Sequence, residues 1–284
     1  MKVLLTFASS SMRRSADRLA KQAKALEFYD AIDSCSELNL SLDFRAKHKN
    51  ALIEGTRGYG YWCWKPQIIY QTLERMNEGD ILQYTDAGCH LNPKGIARLR
   101  DYFELARNSR KGILAFQLRD PSPPLPKPSV GALNLPDYQW IKGDLLDYFG
   151  VRDREDITAT QTIGAGIIFI RKCQESMALI DKWRSVIEAS FSLIDDTCSR
   201  SESLPGFREH RHDQAIFSVI CKLEAIETIS AYEYWYPSQV GAGPDWKILK
   251  SYPVHAKRDK DFGIWGNILI LFSRIFSKIK SIVN

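Results

Sequence analysis

No Cys-x-x-Cys pair occurs in this 284-residue chain, and its six cysteines (Cys35, Cys63, Cys89, Cys173, Cys198 and Cys221) lie far apart. That scatter argues against a disulfide framework or a structural zinc site, and makes a reducing cytosol the simplest home. No His-x-x-x-His spacing marks zinc elsewhere. A Walker A loop and a Gly-x-Ser-x-Gly nucleophile elbow are missing, and Gly58-Tyr59-Gly60 is too short for a dinucleotide fingerprint. Met1 to Phe7 holds only a brief apolar stretch, which reads as a buried first strand rather than a signal peptide. Neither sign of charge dominates strongly: 39 Lys and Arg against 34 Asp and Glu leave +5. Such a balance suits a nucleotide's phosphates, a nucleic acid or an anionic membrane, and does not choose among them. With 44% hydrophobic and 26% charged residues, a disordered or collagen-like chain is excluded.

What is present is an alternation of strand and helix patterns. Val3 to Phe7 predicts a strand ending in Ala8-Ser9-Ser10-Ser11, and Ala16, Leu19, Ala20, Ala23 and Leu26 recur at helical spacing. Pro66 suits the first turn of a helix carrying Ile68, Ile69, Leu73 and Met76, stopped by Asn77 to Asp80. Ile81 to Tyr84 then reads as a strand ending in Thr85-Asp86-Ala87-Gly88. Further strands are expected at Gly112 to Gln117, Ile167 to Ile170 and Ile226 to Ile229, and further helices across Met177 to Ile187 and Asp213 to Lys222. The proline-rich stretch Asp120 to Pro128 sits in a long loop region from about 118 to 162. The pattern predicts an α/β fold with a mixed, mainly parallel sheet flanked by helices.

The last segment differs in kind. From Ile264 on, Trp265, Ile268, Leu269, Phe272, Ile275, Phe276 and Ile279 keep one helical face apolar, while Arg274, Lys278 and Lys280 interrupt the other. These charges cut the run short of the roughly 20 residues a spanning helix needs. An amphipathic helix at an anionic membrane surface fits better, and a helix docked on the protein's own core is the alternative.

Four stretches could carry chemistry. Asp86 follows a predicted buried strand, where open α/β sheets place their ligands, and Gly88 lets a ligand or backbone approach closely. A carboxylate there could hold a divalent cation, although Asp-x-Gly is also common in plain turns. In Arg208 to Gln214, Asp213 can cap the helix that follows, or Asp213 and Gln214 can face a sugar as acceptors for its hydroxyls or as a base. In Tyr252 to Arg258, His255 could be a metal ligand and Lys257 and Arg258 phosphate contacts, or the two cations could be a solvated basic stretch. Arg57 to Pro66 sets two glycines among Tyr59, Tyr61, Trp62 and Trp64, flanked by Arg57 and Lys65. Rings of that kind suit uracil or sugar faces, and a helix N-terminus with a cation suits phosphate.

Taken together, Arg57 to Pro66, Tyr84 to Cys89 and His212-Asp213-Gln214, supported by Gly164 to Arg171, resemble the GT-A-type (Rossmann-like) nucleotide-sugar glycosyltransferases. The nearest likeness is to those of bacterial surface-polysaccharide (O-antigen or capsule) assembly. The resemblance implies one catalytic domain over 1–262, with a donor part at about 1–118 and an acceptor part at about 119–262, followed by a membrane-associating tail at 263–284. It implies Mn²⁺ or Mg²⁺ on Asp86 and His255, with Gly88 standing where the family's DxD-like motif has its second acid. Thr6, Ala8, Ser9, Arg14, Arg57, Tyr61, Trp64, Lys65, Tyr84, Thr85, Lys257 and Arg258 would surround the nucleotide. Gly164, Ala165, Gly166 and His212 would line the sugar and acceptor site, with Asp213 and Gln214 catalytic.

The implied activity is transfer of a sugar from a UDP-sugar to a polyprenyl-diphosphate-linked glycan at the inner face of the plasma membrane. Retention at the anomeric carbon is slightly favoured, and no nucleic-acid partner is expected. The rivals are a sugar nucleotidyltransferase, whose glycine-rich loop after the first strand is absent from Ser9 to Arg14, and a non-catalytic lipid- or RNA-binding module. Steep salt dependence of RNA binding would favour the module.

Overall fold

Hydrophobic strands that can be buried on both faces stack into one sheet when helices cover them. The computed structural model describes residues 1–128, 135–238 and 243–260. In chain order the described elements begin β1 (Lys2–Phe7), α1 (Arg13–Ala25), β2 (Ala31–Cys35), α2 (Leu42–Lys47), a distorted turn α3 (Gly58–Tyr61) and α4 (Trp64–Arg75). Next come β3 (Ile81–Thr85), β4 (His90–Leu91), α5 (Ile96–Asn108), β5 (Ile113–Gln117), α6 (Gly143–Phe149) and α7 (Glu155–Thr158). The chain continues with β6 (Ile163–Arg171), α8 (Gln174–Ala189), α9 (His212–Leu223), β7 (Glu227–Ser230) and β8 (Val254–His255).

Six strands form one sheet in the order β2-β1-β3-β6-β5-β7, and β4 pairs with β8 beside it. The pairs β1/β2, β1/β3 and β5/β7 are parallel; only β6 runs against its neighbours β3 and β5. This is the mixed, mostly parallel sheet expected of a GT-A-like, Rossmann-like fold. Because β6 is reversed, its first residues lie at the same sheet edge as the last residues of β1 and β3. Two apolar layers cover the sheet. On one side α4, α8 and α9 bring Ile68, Leu73, Ile180, Trp183, Ile216 and Phe217 onto Leu5, Leu82 and Ile168. On the other, α1 and α5 bring Leu19, Leu99, Tyr102 and Phe103 onto Leu4, Ile81 and Phe169.

The strand and helix expectations at 3–7, 66–76, 81–84, 112–117, 167–170, 177–187 and 213–222 meet elements at 2–7, 64–75, 81–85, 113–117, 163–171, 174–189 and 212–223. The stretch expected as a long loop is only partly irregular. Asp120 to Pro128 has no regular structure, but α6 and α7 follow it, each too short to show a periodic apolar face. β2 has no expectation matching it. Ala31–Cys35 includes Asp33 and Ser34 and is mostly half-buried at the sheet edge, so it lacks an apolar run. The expected amphipathic helix at 263–284 lies outside the described residues. Among the described residues no helix is long and apolar enough to cross a membrane.

Candidate active site

At the edge where β1 and β3 end and β6 begins lies a cleft of about 760 Å³. Ligands of open α/β sheets sit outside the carboxyl ends of parallel strands, because the loops there diverge and leave a crevice. Three sequence-remote stretches make its floor: Asp86 just after β3, Gly164 to Ile167 in β6, and Asp213 with Gln214 in the first turn of α9. Ala8 and Ser9 close one side, Arg57, Trp62 and Trp64 another, and Ala256 and Arg258 the rim.

Lys65, in the first turn of α4, ties this floor together. Its side chain is 3% exposed, and its ammonium lies 2.7 Å from Asp213 Oδ2 and 3.3 Å from Asp86 Oδ1. It also donates to the Ala165 carbonyl at 3.3 Å. Burial works against the charged ammonium, but the two carboxylates outweigh it and raise the Lys65 pKa above its ordinary value. Burial pushes the Asp213 carboxyl up to about 6 against the pull of Lys65, and the charge on Asp86 adds to the rise. Asp86 differs from its partner: 40% of its side chain is open to the cleft. The Tyr84 hydroxyl donates to its Oδ1 at 2.7 Å and fixes its orientation.

Two glycines make room around Asp86, one for its carboxylate and one for a neighbouring backbone. A Cβ on Gly166 would stand 2.9 Å from Asp86 Oδ2, tighter than contact allows. A Cβ on Gly88 would stand 3.2 Å from Arg258 Cα, so the backbone at 258 can press against the turn after β3. Arg18 braces the same turn from below by donating to the Ala87 and Cys89 carbonyls at 3.0 and 3.2 Å.

The aromatic stretch does two jobs. Trp64 stacks on Phe7 with ring centroids 3.9 Å apart, and its Nε1 donates to the Gly58 carbonyl at 3.0 Å. Trp62 lies against His212 at 5.6 Å and lines the cleft. Tyr59, Tyr61 and Trp62 all have positive φ, near +53°, +55° and +60°. Left-handed backbone at three bulky residues in four positions is strained, and such strain gathers where a surface must take one particular shape. Arg57 reaches Asp196 and Glu209 at 3.6 and 3.5 Å, and Arg211 covers the Trp140 ring at 3.7 Å. Guanidiniums at 57, 211 and 258 thus stand around the mouth of a cleft whose floor is acidic.

Several expected residues take other places. Thr6 and Thr85 are wholly buried inside the sheet, where Thr85 Oγ1 accepts from Gln83, and neither lines the cleft. Tyr84 acts on Asp86 from beneath rather than touching the cavity. Arg14 is exposed on α1, away from the wall. Tyr61 packs against His212 and Phe191. His212 lines the cleft with its Nδ1 donating to the Ile194 carbonyl at 2.7 Å. Lys65, expected at phosphate, spends its charge on two carboxylates.

His255 and Lys257 are turned away. The pairing of β8 with β4 sets His255 opposite His90, its ring lies 5.4 Å from Trp246, and its Nε2 donates to the Leu249 carbonyl at 2.9 Å. Lys257 lies over the Trp246 ring at 5.7 Å. The expected Asp86–His255 metal pair is therefore not assembled on the cleft wall. Among the described residues no three His, Cys, Asp or Glu side chains group as a metal site. The donor set does not fit a divalent ion: one Asp86 oxygen already serves Tyr84 and Lys65, and the neighbouring carboxylate is held by the same ammonium.

Other wall residues escaped sequence reasoning. Glu54 accepts from the Ser11 backbone N–H at 3.2 Å and, with the Ser11 hydroxyl foremost, is held below the usual carboxylate range. Tyr234 also lines the cavity, its hydroxyl pushed upward in pKa by burial. Neither sits in a motif, and the only signal for Glu54 was its nearness to Arg57.

No family model matches the chain, and no curated protein matches it. Solved structures similar to it include glycosyltransferases. Mouse xyloside xylosyltransferase 1 aligns at TM-score 0.42 and 9% identity over 82% of this chain and 87% of that one. The galactosyltransferase LgtC, solved with donor and acceptor sugar analogues, aligns at TM-score 0.40 and 12% identity over 82% and 74%. A glycosyltransferase involved in glycosylation of the major capsid of PBCV-1 aligns at TM-score 0.35 and 13% identity over 66% and 67%. At such identities the likeness concerns the path of the backbone, and the side chains of the cleft stand on their own geometry.

Proposed function

We propose that the protein is a glycosyltransferase that moves a sugar from a UDP-sugar to a lipid-linked glycan acceptor, as the sequence resemblance implies. The observation that carries the reading is the floor of the cleft: Asp86 and Asp213 meet beneath a mouth edged by Arg57, Arg211 and Arg258. Breaking a glycosyl–phosphate bond builds negative charge on the departing diphosphate and positive charge on the anomeric carbon. Guanidiniums at the mouth answer the first, and carboxylates in a partly dry floor answer the second.

In the transfer, the anomeric C–O bond to the diphosphate breaks and the acceptor oxygen bonds the same carbon. The acceptor's proton passes to the Asp213 carboxylate if configuration inverts, or to a departing phosphate oxygen if it is retained. Asp213, with a pKa near 6, is ionised at neutral pH yet basic enough to accept a proton. Gln214 lines the floor beside it and supports the sugar's hydroxyls. Trp62 and Tyr59 offer ring faces to uracil or to the acceptor. Retention remains the outcome we favour.

The lipid-linked acceptor, the O-antigen or capsule context and peripheral attachment at the inner membrane face rest on the sequence of 263–284 and on the resemblance. An anchored enzyme would meet a membrane-bound acceptor more often.

A thermal-shift panel of nucleotide sugars, followed by transfer assays on Asp86→Ala, tests the reading. Selective stabilisation by UDP-sugars and a loss of transfer by orders of magnitude with the fold intact are expected. Near-normal turnover by Asp86→Ala would overturn it. NMR of the product's anomeric proton separates retention from inversion. Removal of 264–284 should release the protein from vesicles while sparing transfer to a soluble acceptor.

A further inference from the structure

Asp86, expected to hold a metal ion together with His255, instead meets Asp213 and the Ala165 carbonyl around a side chain of the protein itself. Lys65 lies between Asp86 and Asp213, donates to the Ala165 carbonyl and faces the Tyr84 ring at 5.4 Å. Two ion pairs and one hydrogen bond thus hold the ammonium in place. Its side chain is 3% exposed, and the two acids hold it charged.

We propose that the Lys65 ammonium is the resident cation of this cleft, standing in place of a divalent metal ion. A metal on Asp86 would need oxygens at 2.0–2.6 Å. One oxygen of Asp86 already accepts from Tyr84 and faces the lysine, and the nearest second acid, Asp213, is bound by the same ammonium. The imidazole expected to complete the set is bonded to the Leu249 carbonyl. A divalent ion entering here would gain one carboxylate oxygen and meet a fixed positive charge across a floor of low dielectric, where repulsion is weakly screened.

The position of Gly88 agrees with this. No second acid extends from the turn after β3; the Arg258 backbone packs there, and Gly88 accepts from the Asp259 N–H at 3.1 Å. For the transfer reaction, and resting on the reading above, the departing diphosphate is then compensated by the guanidiniums at the mouth, and Lys65 serves as a positioning residue that keeps two acids together at neutral pH.

Manganese electron paramagnetic resonance on the full-length protein tests this without any nucleotide. Wild type and Lys65→Arg are expected to leave the free Mn²⁺ signal undiminished at millimolar metal. Lys65→Ala, which leaves two carboxylates without their cation, should withdraw about one equivalent, and adding Asp86→Asn should abolish that gain. If Lys65→Ala does not fold, wild type against Asp86→Asn still decides. Mn²⁺ binding by wild type that Asp86→Asn removes would overturn the proposal.

A second arm compares thermal stabilisation by UDP with EDTA and with Mn²⁺. Equal shifts support the resident cation, and a shift that needs Mn²⁺ overturns it while leaving the transferase reading in place. No shift in either buffer would sink the transferase reading, and the resonance titration would then decide the cation by itself.

Discussion

Helix α9 carries a buried Lys–Asp contact at each end, and the two are built differently. At its C-terminal end, the Lys222 ammonium donates to Asp137 at 2.6 Å and to the Ile157 and Thr160 carbonyls at 2.9 and 3.0 Å. The Ser218 hydroxyl donates to the same Asp137 oxygen at 2.6 Å, and the Asp137 side chain is wholly buried. One acid faces one base, and burial, which prevails over that acid, lowers the Lys222 pKa. At the N-terminal end one lysine serves two acids, its pKa rises, and one of the acids opens onto a cleft. A closed pair of matched charge cross-links the fold. Surplus negative charge beside an opening is what a site for a developing cation requires.

The largest effect expected from that contrast comes from Asp213→Asn, which removes charge from the open cluster. Transfer should fall on the order of 10²–10³-fold, with a circular dichroism spectrum unchanged from wild type. Activity within a factor of a few would break the contrast by making both ends of α9 structural. Next in size is Lys222→Met in the closed cluster. It leaves Asp137 buried without its cation and should lower stability by about 3–5 kcal/mol, read as a drop in the urea midpoint. Turnover per folded molecule should hold.

Gly166→Ala probes the opening itself. The added methyl meets Asp86 Oδ2, which Tyr84 and Lys65 keep from turning away. It should lower kcat/KM about tenfold, roughly 1–2 kcal/mol of transition-state stabilisation, with little change in melting temperature.

The smallest effect is on pH dependence. Asp213 has a folded pKa of about 6 against an ordinary 3.8, so its contribution to stability is full below about 3.8 and lost as pH rises through about 6. The buried His210, His212 and His255 run the other way. Burial lowers their pKa values from 6.5, so their contribution is present above 6.5 and lost on acidification. Asp213→Asn should erase only the first component, which opposes the histidines, so melting temperature should drop more steeply as pH falls from 6 to 4. An unchanged profile would show that Asp213 is not the group titrating there. Transfer, which needs the ionised carboxylate, should decline below about pH 6 as well.

How much of this was legible beforehand varied with the kind of signal. β1, β3 and α8 announced themselves through apolar runs or helical spacing, since their burial is written in consecutive or periodic residues. β2 did not, because an edge strand at Ala31–Cys35 needs little apolar surface. Asp86, Asp213 and Gln214 were legible as candidates from their places after a strand and before a helix. Their meeting through Lys65 was not, because the ammonium comes from a stretch read as a phosphate contact. His255 shows the converse. Its neighbours Lys257 and Arg258 made a persuasive motif, yet the β4–β8 pairing turned the imidazole toward Leu249 and Trp246.

The sequence by itself determined the strand–helix alternation, the small residues that admit a backbone at 88 and a carboxylate at 166, and the set of acids and cations available for chemistry. These follow from local sterics and from burial, which depend on near neighbours in the chain. Only the tertiary structure decided which charges share a cavity. The field at Asp213 is set by groups 127 and 148 positions away in sequence, Asp86 and Lys65, and only the course of the sheet and the packing of α4 bring the Lys65 ammonium within 4 Å of both acids.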